Sequence, residues 1–132
     1  MNELCPCGSN RPYATCCEPI INGRRDATTA LELMKSRYVA FTKANVDYLM
    51  RSHHSKTRPI KDRKALKKWA ASVSWTGLVI IKTQFGEPND ETGFVEFRAL
   101  YLENGQLQQI HENSFFKREQ HKWVYVSGEH QG

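Results

Sequence analysis

Phe94-Val95-Glu96-Phe97-Arg98-Ala99-Leu100-Tyr101-Leu102 is the stretch on which the fold turns. Val95, Phe97, Ala99 and Tyr101 share one face and Phe94, Glu96, Arg98 and Leu100 the other, the period of two expected of a pleated strand. Asn104-Gly105 follows, a pair that accepts the positive φ of a tight hairpin, so Leu107 to Lys117 should return as an antiparallel neighbour. A turn over Glu119 to Lys122 leads to a fourth strand, Trp123 to Val126. On the N-terminal side, Trp75 to Phe85 carries the apolar run Leu78-Val79-Ile80-Ile81 and joins the others through the polar turn Gly86 to Gly93.

Before Ser74 the period becomes helical. Ala27, Leu31, Met34, Tyr38 and Phe41 recur at steps of three and four, and Thr29 with Glu32 has the spacing of a capping box. Asn45 can cap a second, short helix through Val46, Tyr48, Leu49 and Met50, with Asp47 in its first turn. Asp62 can cap a third, with Leu66, Trp69, Ala70 and Val73 inward and lysines outward. Pro59 keeps the connection between them irregular. Helices first and strands joined by short turns afterwards define an α+β class, about three helices packed on a curved antiparallel sheet. Trp69, Trp75 and Trp123 belong to its core or rim. His53-His54 has no carboxylate at ligand spacing and reads as a solvated helix end.

The chain has 132 residues, 39% hydrophobic and 25% charged, which suits one domain with a small appendage. No apolar run approaches the ~20 residues of a membrane span. Met1 to Pro6 has neither a basic nor an apolar leader region, which points to a cytoplasmic address. The net charge of +5 is unevenly spread. Arg51, Lys56, Arg58, Lys61, Arg63, Lys64, Lys67 and Lys68 face only Asp62, a local +7 that makes a patch able to meet phosphate in a salt-sensitive, sequence-independent way. The plainer reading is a solvated helix face and loop.

All four cysteines fall within the first 17 residues, in Cys5-Pro6-Cys7-Gly8-Ser9-Asn10-Arg11-Pro12-Tyr13-Ala14-Thr15-Cys16-Cys17. Disulfides that staple a small domain would be distributed, and a Cys5–Cys7 or vicinal Cys16–Cys17 bridge would be strained. Four thiolates instead close a tetrahedral shell around one ion, zinc before iron, with no position open for catalysis. Pro6 and Gly8 let the chain turn between ligands, and the N–H groups of Gly8, Ser9 and Asn10 can donate to sulfur. Arg11, Arg24 and Arg25 can offset the shell's charge. With Leu4 and Tyr13 as the large apolar groups between Asn2 and Cys17, this stretch needs the ion to fold.

Cys-Pro-Cys-Gly-Ser-x₄-Tyr-x₂-Cys-Cys resembles the SEC-C motif. Together with Met34-Lys35-Ser36-Arg37-Tyr38, Tyr48-Leu49, Phe94 to Tyr101 and His111-Glu112-x-Ser114-x-Phe116, the whole chain resembles the YchJ-like family of bacterial proteins. The resemblance implies a zinc-binding segment over 1–25, an NTF2-like cone over 26–132, and one structural Zn²⁺ on Cys5, Cys7, Cys16 and Cys17.

A cone of that kind can enclose a pocket. Tyr38, Glu96, Tyr101, His111 and Glu112 are the candidates, with His111 or Glu112 as acid or base and tyrosines donating to a ligand oxygen. Adjacent strand residues point to opposite faces, so His111 and Glu112 cannot both line it without a bulge. The structural alternative pairs these groups in a network, with Arg37 or Arg98 neutralising a carboxylate. The function expected is a non-enzymatic zinc-bearing module that docks onto a protein or ribonucleoprotein, its loop Asn10 to Thr15 making contact and its basic stretch steering nucleic acid. The competing expectation is a small-molecule-binding protein or small enzyme using the cone. Dimerisation through the sheet is a further expectation.

Overall fold

Strands β1 (Ser74–Phe85), β2 (Thr92–Glu103), β3 (Gln106–Glu119) and β4 (Lys122–His130) form one antiparallel meander in chain order. The computed structural model describes residues 3–131, so Met1, Asn2 and Gly132, the outer ends of the two predicted segments, lie outside the description. Asn104 (φ 54°) and Gly105 (φ 78°) make the hairpin turn as their types require. The β3–β4 turn puts Gln120 and His121 at φ 52° and 71°, a left-handed pair with no glycine to announce it. Register shifts between Trp75 and Gly77, Ile80 and Lys82, and Phe115 and Phe116 mark bulges that bend the sheet.

The alternation read at 94–102 divides the sheet correctly. Val95, Phe97 and Ala99 are buried under the helices, opposite Ser114, Glu112 and Ile110 of β3. Strand β4 runs four residues beyond the expected Val126, because Gly128 continues the ladder opposite Ser114. A Cβ on Gly128 would lie 2.0 Å from Glu112 Oε2, so the glycine leaves the space that this carboxylate occupies.

The helices are α1 (Glu18–Ile21) in the cysteine segment, then α2 (Ala30–Thr42), α3 (Val46–Arg51) and α4 (Arg63–Ser72) on the body. Thr29 Oγ1 accepts from Glu32 N (3.0 Å), and Asn45 Oδ1 accepts from Tyr48 N (3.1 Å), as the cap residues predict. The capping box is modified. Glu32 reaches not Thr29 N but Thr28 N (2.8 Å), and Arg25 grips its carboxylate through two nitrogens at 3.0 and 3.2 Å. Asp62 starts α4 without a side-chain cap, the chain entering through a 3-10 turn at Ile60–Asp62.

Helix α2 does not present the single stripe expected. Leu31 and Phe41 are half-buried, whereas Ala30, Leu33, Met34, Ser36, Arg37, Tyr38, Val39 and Ala40 are all buried. One side rests on the sheet and others meet α1 and α3, so the helix is covered nearly all round. The cysteines, Ile20 and Ile21 share one hydrophobic cluster with Tyr38, Val95 and Phe116.

His53 and His54 are buried, not solvated. Tyr125 N donates to Ser52 O (2.9 Å) and His54 N to Tyr125 O (2.7 Å), so residues 52–54 lie along the open edge of β4 as a short parallel addition. A basic, polar sequence concealed this edge pairing.

The N-terminus of α2 meets the β1–β2 loop where Ala30 N donates to Gly86 O (3.0 Å). A Cβ on Gly93 would fall 2.5 Å from Gly86 Cα, a backbone clash that cannot be relieved by a rotamer. Gly93→Ala is therefore expected to lower stability by about 1–3 kcal/mol, read as a reduced urea midpoint with unchanged m-value.

Candidate metal centre and cone pocket

The four cysteines are 3–5% exposed, and their Sγ atoms all lie within 4.8 Å of one another. The segment is folded around them by Cys5 N→Arg11 O (2.8 Å) and Tyr13 N→Glu3 O (2.7 Å), with Gly8 at φ 89° directly after Cys5 and Cys7, and a 3-10 turn, Tyr13–Thr15, directly before Cys16 and Cys17. None of the four is in a disulfide. A tetrahedron of sulfurs at 2.3 Å from a central ion has edges of about 3.8 Å. Cys7 Sγ and Cys16 Sγ are 3.7 Å apart, so the donor set fits a metal ion in both chemistry and spacing.

The surroundings favour negative sulfur. Ser9 Oγ (3.2 Å) and Arg11 Nη2 (3.5 Å) lie on Cys16 Sγ. Of the backbone donors expected, Ser9 N–H faces Cys7, while Gly8 N–H turns to Cys5 O. Arg11 is the arginine that reaches sulfur. Arg24 turns to Glu18 (3.6 Å) and Arg25 to Glu32. The thiols compete for ionisation. Cys7 is drawn down to about 4, chiefly by the hydrogen bond from Cys17 with Ser9 assisting, while burial pushes Cys5 up to about 11. Cys17 is pushed up as well, by its bond to the Cys7 sulfur and then by burial. A cation among the sulfurs would remove that competition.

A cavity of about 240 Å³ lies between the helices and the inner face of the sheet. Of the candidates read from the sequence, Tyr38 and Glu112 line it. Glu96 and His111 do not. They are on the outer face, bonded to each other at 2.7 Å, which follows from the strand parity that separates His111 from Glu112. Tyr101 is on the inner side but packs edge-on against Trp69 at 5.4 Å and near Trp75 at 5.3 Å, outside the cavity lining. Glu112 Oε2 accepts from Ser114 Oγ (2.5 Å) and Tyr125 OH (3.1 Å). Among the described residues, no ion pair joins Arg37 or Arg98 to either carboxylate. The sequence reading missed Arg37, His53, Ser114 and Tyr125 as pocket residues. Arg37 was within reach, since it stands three residues after Met34 and four before Phe41 on the same face of α2.

The basic stretch divides. Arg51 donates to Ile21 O, Arg58 to His53 O and Arg63 to Asp47, so these three serve the fold. Lys56, Lys61, Lys64, Lys67 and Lys68 are exposed. No helix among the described residues is long and apolar enough to cross a membrane.

Residues 29–128 match the family described as YchJ, middle NTF2-like domain, and residues 1–19 match the SEC-C motif. A UPF0225 protein of Geobacter sulfurreducens is 41% identical over 128 residues, 97% of this chain and 80% of that one. The UPF0225 protein YchJ of Shigella dysenteriae is 36% identical over 128 residues, 97% and 84% of the two chains. The solution structure of a SEC-C motif containing protein from Rhodopseudomonas palustris agrees with a TM-score of 0.87 at 28% identity, covering 100% of each chain. A crystal structure of a SEC-C motif containing protein from Psychrobacter arcticus agrees at 0.82 and 26% identity, covering 95% of this chain and 81% of that one.

Burial, with Arg37 and Arg58 nearby, holds His53 down at about 4 against 6.5 in an open chain. Between those values the unfolded chain binds the proton and the folded one refuses it, so stability must fall as pH drops from 6.5 toward 4. His53→Phe keeps an aromatic ring against Tyr125 and is expected to flatten that slope in urea midpoints measured from pH 7 to 5.

Proposed function

This chain belongs to the YchJ (UPF0225) family, a SEC-C motif followed by an NTF2-like domain, and from that premise we propose that its four cysteines hold one structural zinc ion and that the protein is a docking module rather than an enzyme. The observation that carries this reading is the set of four buried sulfurs within 4.8 Å of one another. All-thiolate coordination favours zinc and leaves no position for substrate or water, so the ion's contribution is to shape. Free thiols this close suit a reducing compartment, the cytoplasm, where they stay available to metal.

The shaped element is the loop between the ligand pairs. Asn10, Arg11, Ala14 and Thr15 are exposed on it, fixed by the sulfurs on either side. Arg51 ties the basic stretch to the end of α1 at Ile21, and beyond it the exposed lysines of α4 offer charge to an acidic partner, a ribonucleoprotein or an acidic protein face. Such a partner would be steered by charge and fixed by the rigid loop.

Affinity capture with the full-length chain tests this reading. Partners captured by the wild type are expected to disappear with Cys16→Ser and to weaken severalfold with Lys64→Glu/Lys67→Glu/Lys68→Glu. An identical partner set from all three proteins would overturn it. Far-UV circular dichroism under chelator separates docking from a purely structural role. Loss of capture with the sheet and α2 intact supports docking, whereas collapse of the whole body assigns the ion to fold maintenance alone.

A further inference from the structure

The cone cavity contains a buried cation with no anion in contact. Arg37 enters from α2, is 9% exposed, and lies with its guanidinium carbon 4.6 Å from the centre of the Tyr125 ring. One nitrogen, Nη1, is fully occupied, donating to Leu49 O (2.8 Å) and Ser52 Oγ (2.7 Å). Nε and Nη2 make no hydrogen bond among the described residues. Among the described residues no side-chain nitrogen or oxygen is both sealed from solvent and unpartnered. The second edge of the guanidinium therefore keeps access to open space, and Arg37 lines the cavity.

The other ionisable groups of the cavity do not meet that edge. Glu112, the one carboxylate in the lining, stands beyond ion-pair distance of Arg37 and spends Oε2 on Ser114 and Tyr125. His53 is held neutral by burial, and burial also raises Tyr38 and Tyr125, so neither phenol ionises near pH 7. Burial pulls Arg37 down only to about 10, so it stays charged. A guanidinium held by one nitrogen presents its Nε–Nη2 edge as a planar fork, the geometry that matches a carboxylate. Most of the remaining wall is apolar, with Met34, Phe41, Trp75, Phe97 and Ala99 among its members.

We propose that the cone pocket binds a small organic monocarboxylate, its apolar body against Trp75, Phe97 and Ala99 and its carboxylate accepting from Arg37 Nε and Nη2. The volume of about 240 Å³ limits the body to one ring or a short branched chain, since pockets that take drug-sized ligands measure about 300–1,000 Å³. An amine is disfavoured because Arg37 repels it and Glu112 already accepts two donors. A neutral amide of the same shape forfeits the charge. This site is separate from the cysteine cluster, and its success or failure leaves the metal reading unaffected.

Three probes of one shape, 3-phenylpropionate, 3-phenylpropanamide and 3-phenylpropylamine, test the assignment on the full-length protein by nitrogen–proton NMR, following the Trp75 indole N–H. The carboxylate is expected to give saturable shifts, with affinity at least tenfold above either of the others. Arg37→Lys, which keeps charge but loses the fork, is expected to weaken it tenfold or more. Ala99→Leu fills the cavity from β2 without touching Arg37, and is expected to abolish binding while the thermal midpoint holds or rises. If Arg37→Lys does not fold, Ala99→Leu and the three-probe comparison still decide. The proposal is overturned by the absence of saturable shifts with 3-phenylpropionate, by equal or tighter binding of the amide or amine, or by binding that survives Ala99→Leu.

Discussion

Four sulfurs packed within 4.8 Å repel one another as thiolates unless a cation sits among them, and the shape of the N-terminal segment and its seat on α2 lean on how that conflict is settled. The N-terminal segment has little else to hold it. Leu4 is 59% exposed, and Tyr13 is only half-buried, with the Lys43 ammonium 4.5 Å from its ring centre. With the sulfurs fixed, Ile20 and Ile21 are presented to α2 and join the same hydrophobic cluster as Tyr38 and Phe116. A helix covered on that side can afford Ser36 and Arg37 among its buried residues. Those in turn reach across to Tyr48, Leu49 and Ser52, with Ser36 Oγ and Tyr48 OH 2.6 Å apart. The route from sulfur to pocket is thus one helix wide.

The sheet separates two polar systems by strand parity. Glu112 and Ser114 of β3 with Tyr125 of β4 point inward, and Glu96 of β2 with His111 of β3 outward, so β3 contributes to both systems. The inner group shares its cavity with a buried guanidinium. The outer pair is a half-buried hydrogen bond on the opposite face of the sheet.

Much of this was legible in the chain. The alternation at 94–102, the Asn104-Gly105 turn and the caps at Thr29 and Asn45 each depend on neighbours within a few residues, and each appears in the structure. What failed was long-range. The wide burial of α2 arises because the cysteine segment covers a side that the apolar stripe alone would leave to water. His53 and His54 are buried by β4, more than 60 residues away in sequence, and the extension of β4 depends on Gly128 making room for Glu112. For the pocket, parity correctly separated His111 from Glu112, yet grouping Glu96 with Tyr101 ignored that same rule. Arg37 was visible on the helix face but was read as a partner for a carboxylate rather than as a wall of the cavity.

The account stands or falls on the contents of the sulfur cluster. X-ray absorption at the zinc edge, on native protein purified without added metal, measures identity, ligand type and distance together. The account predicts one zinc per chain with four sulfur neighbours at about 2.3 Å and no nitrogen or oxygen neighbour. Protein free of metal with its thiols bridged or individually free, or zinc with an oxygen or nitrogen in its shell, would contradict it.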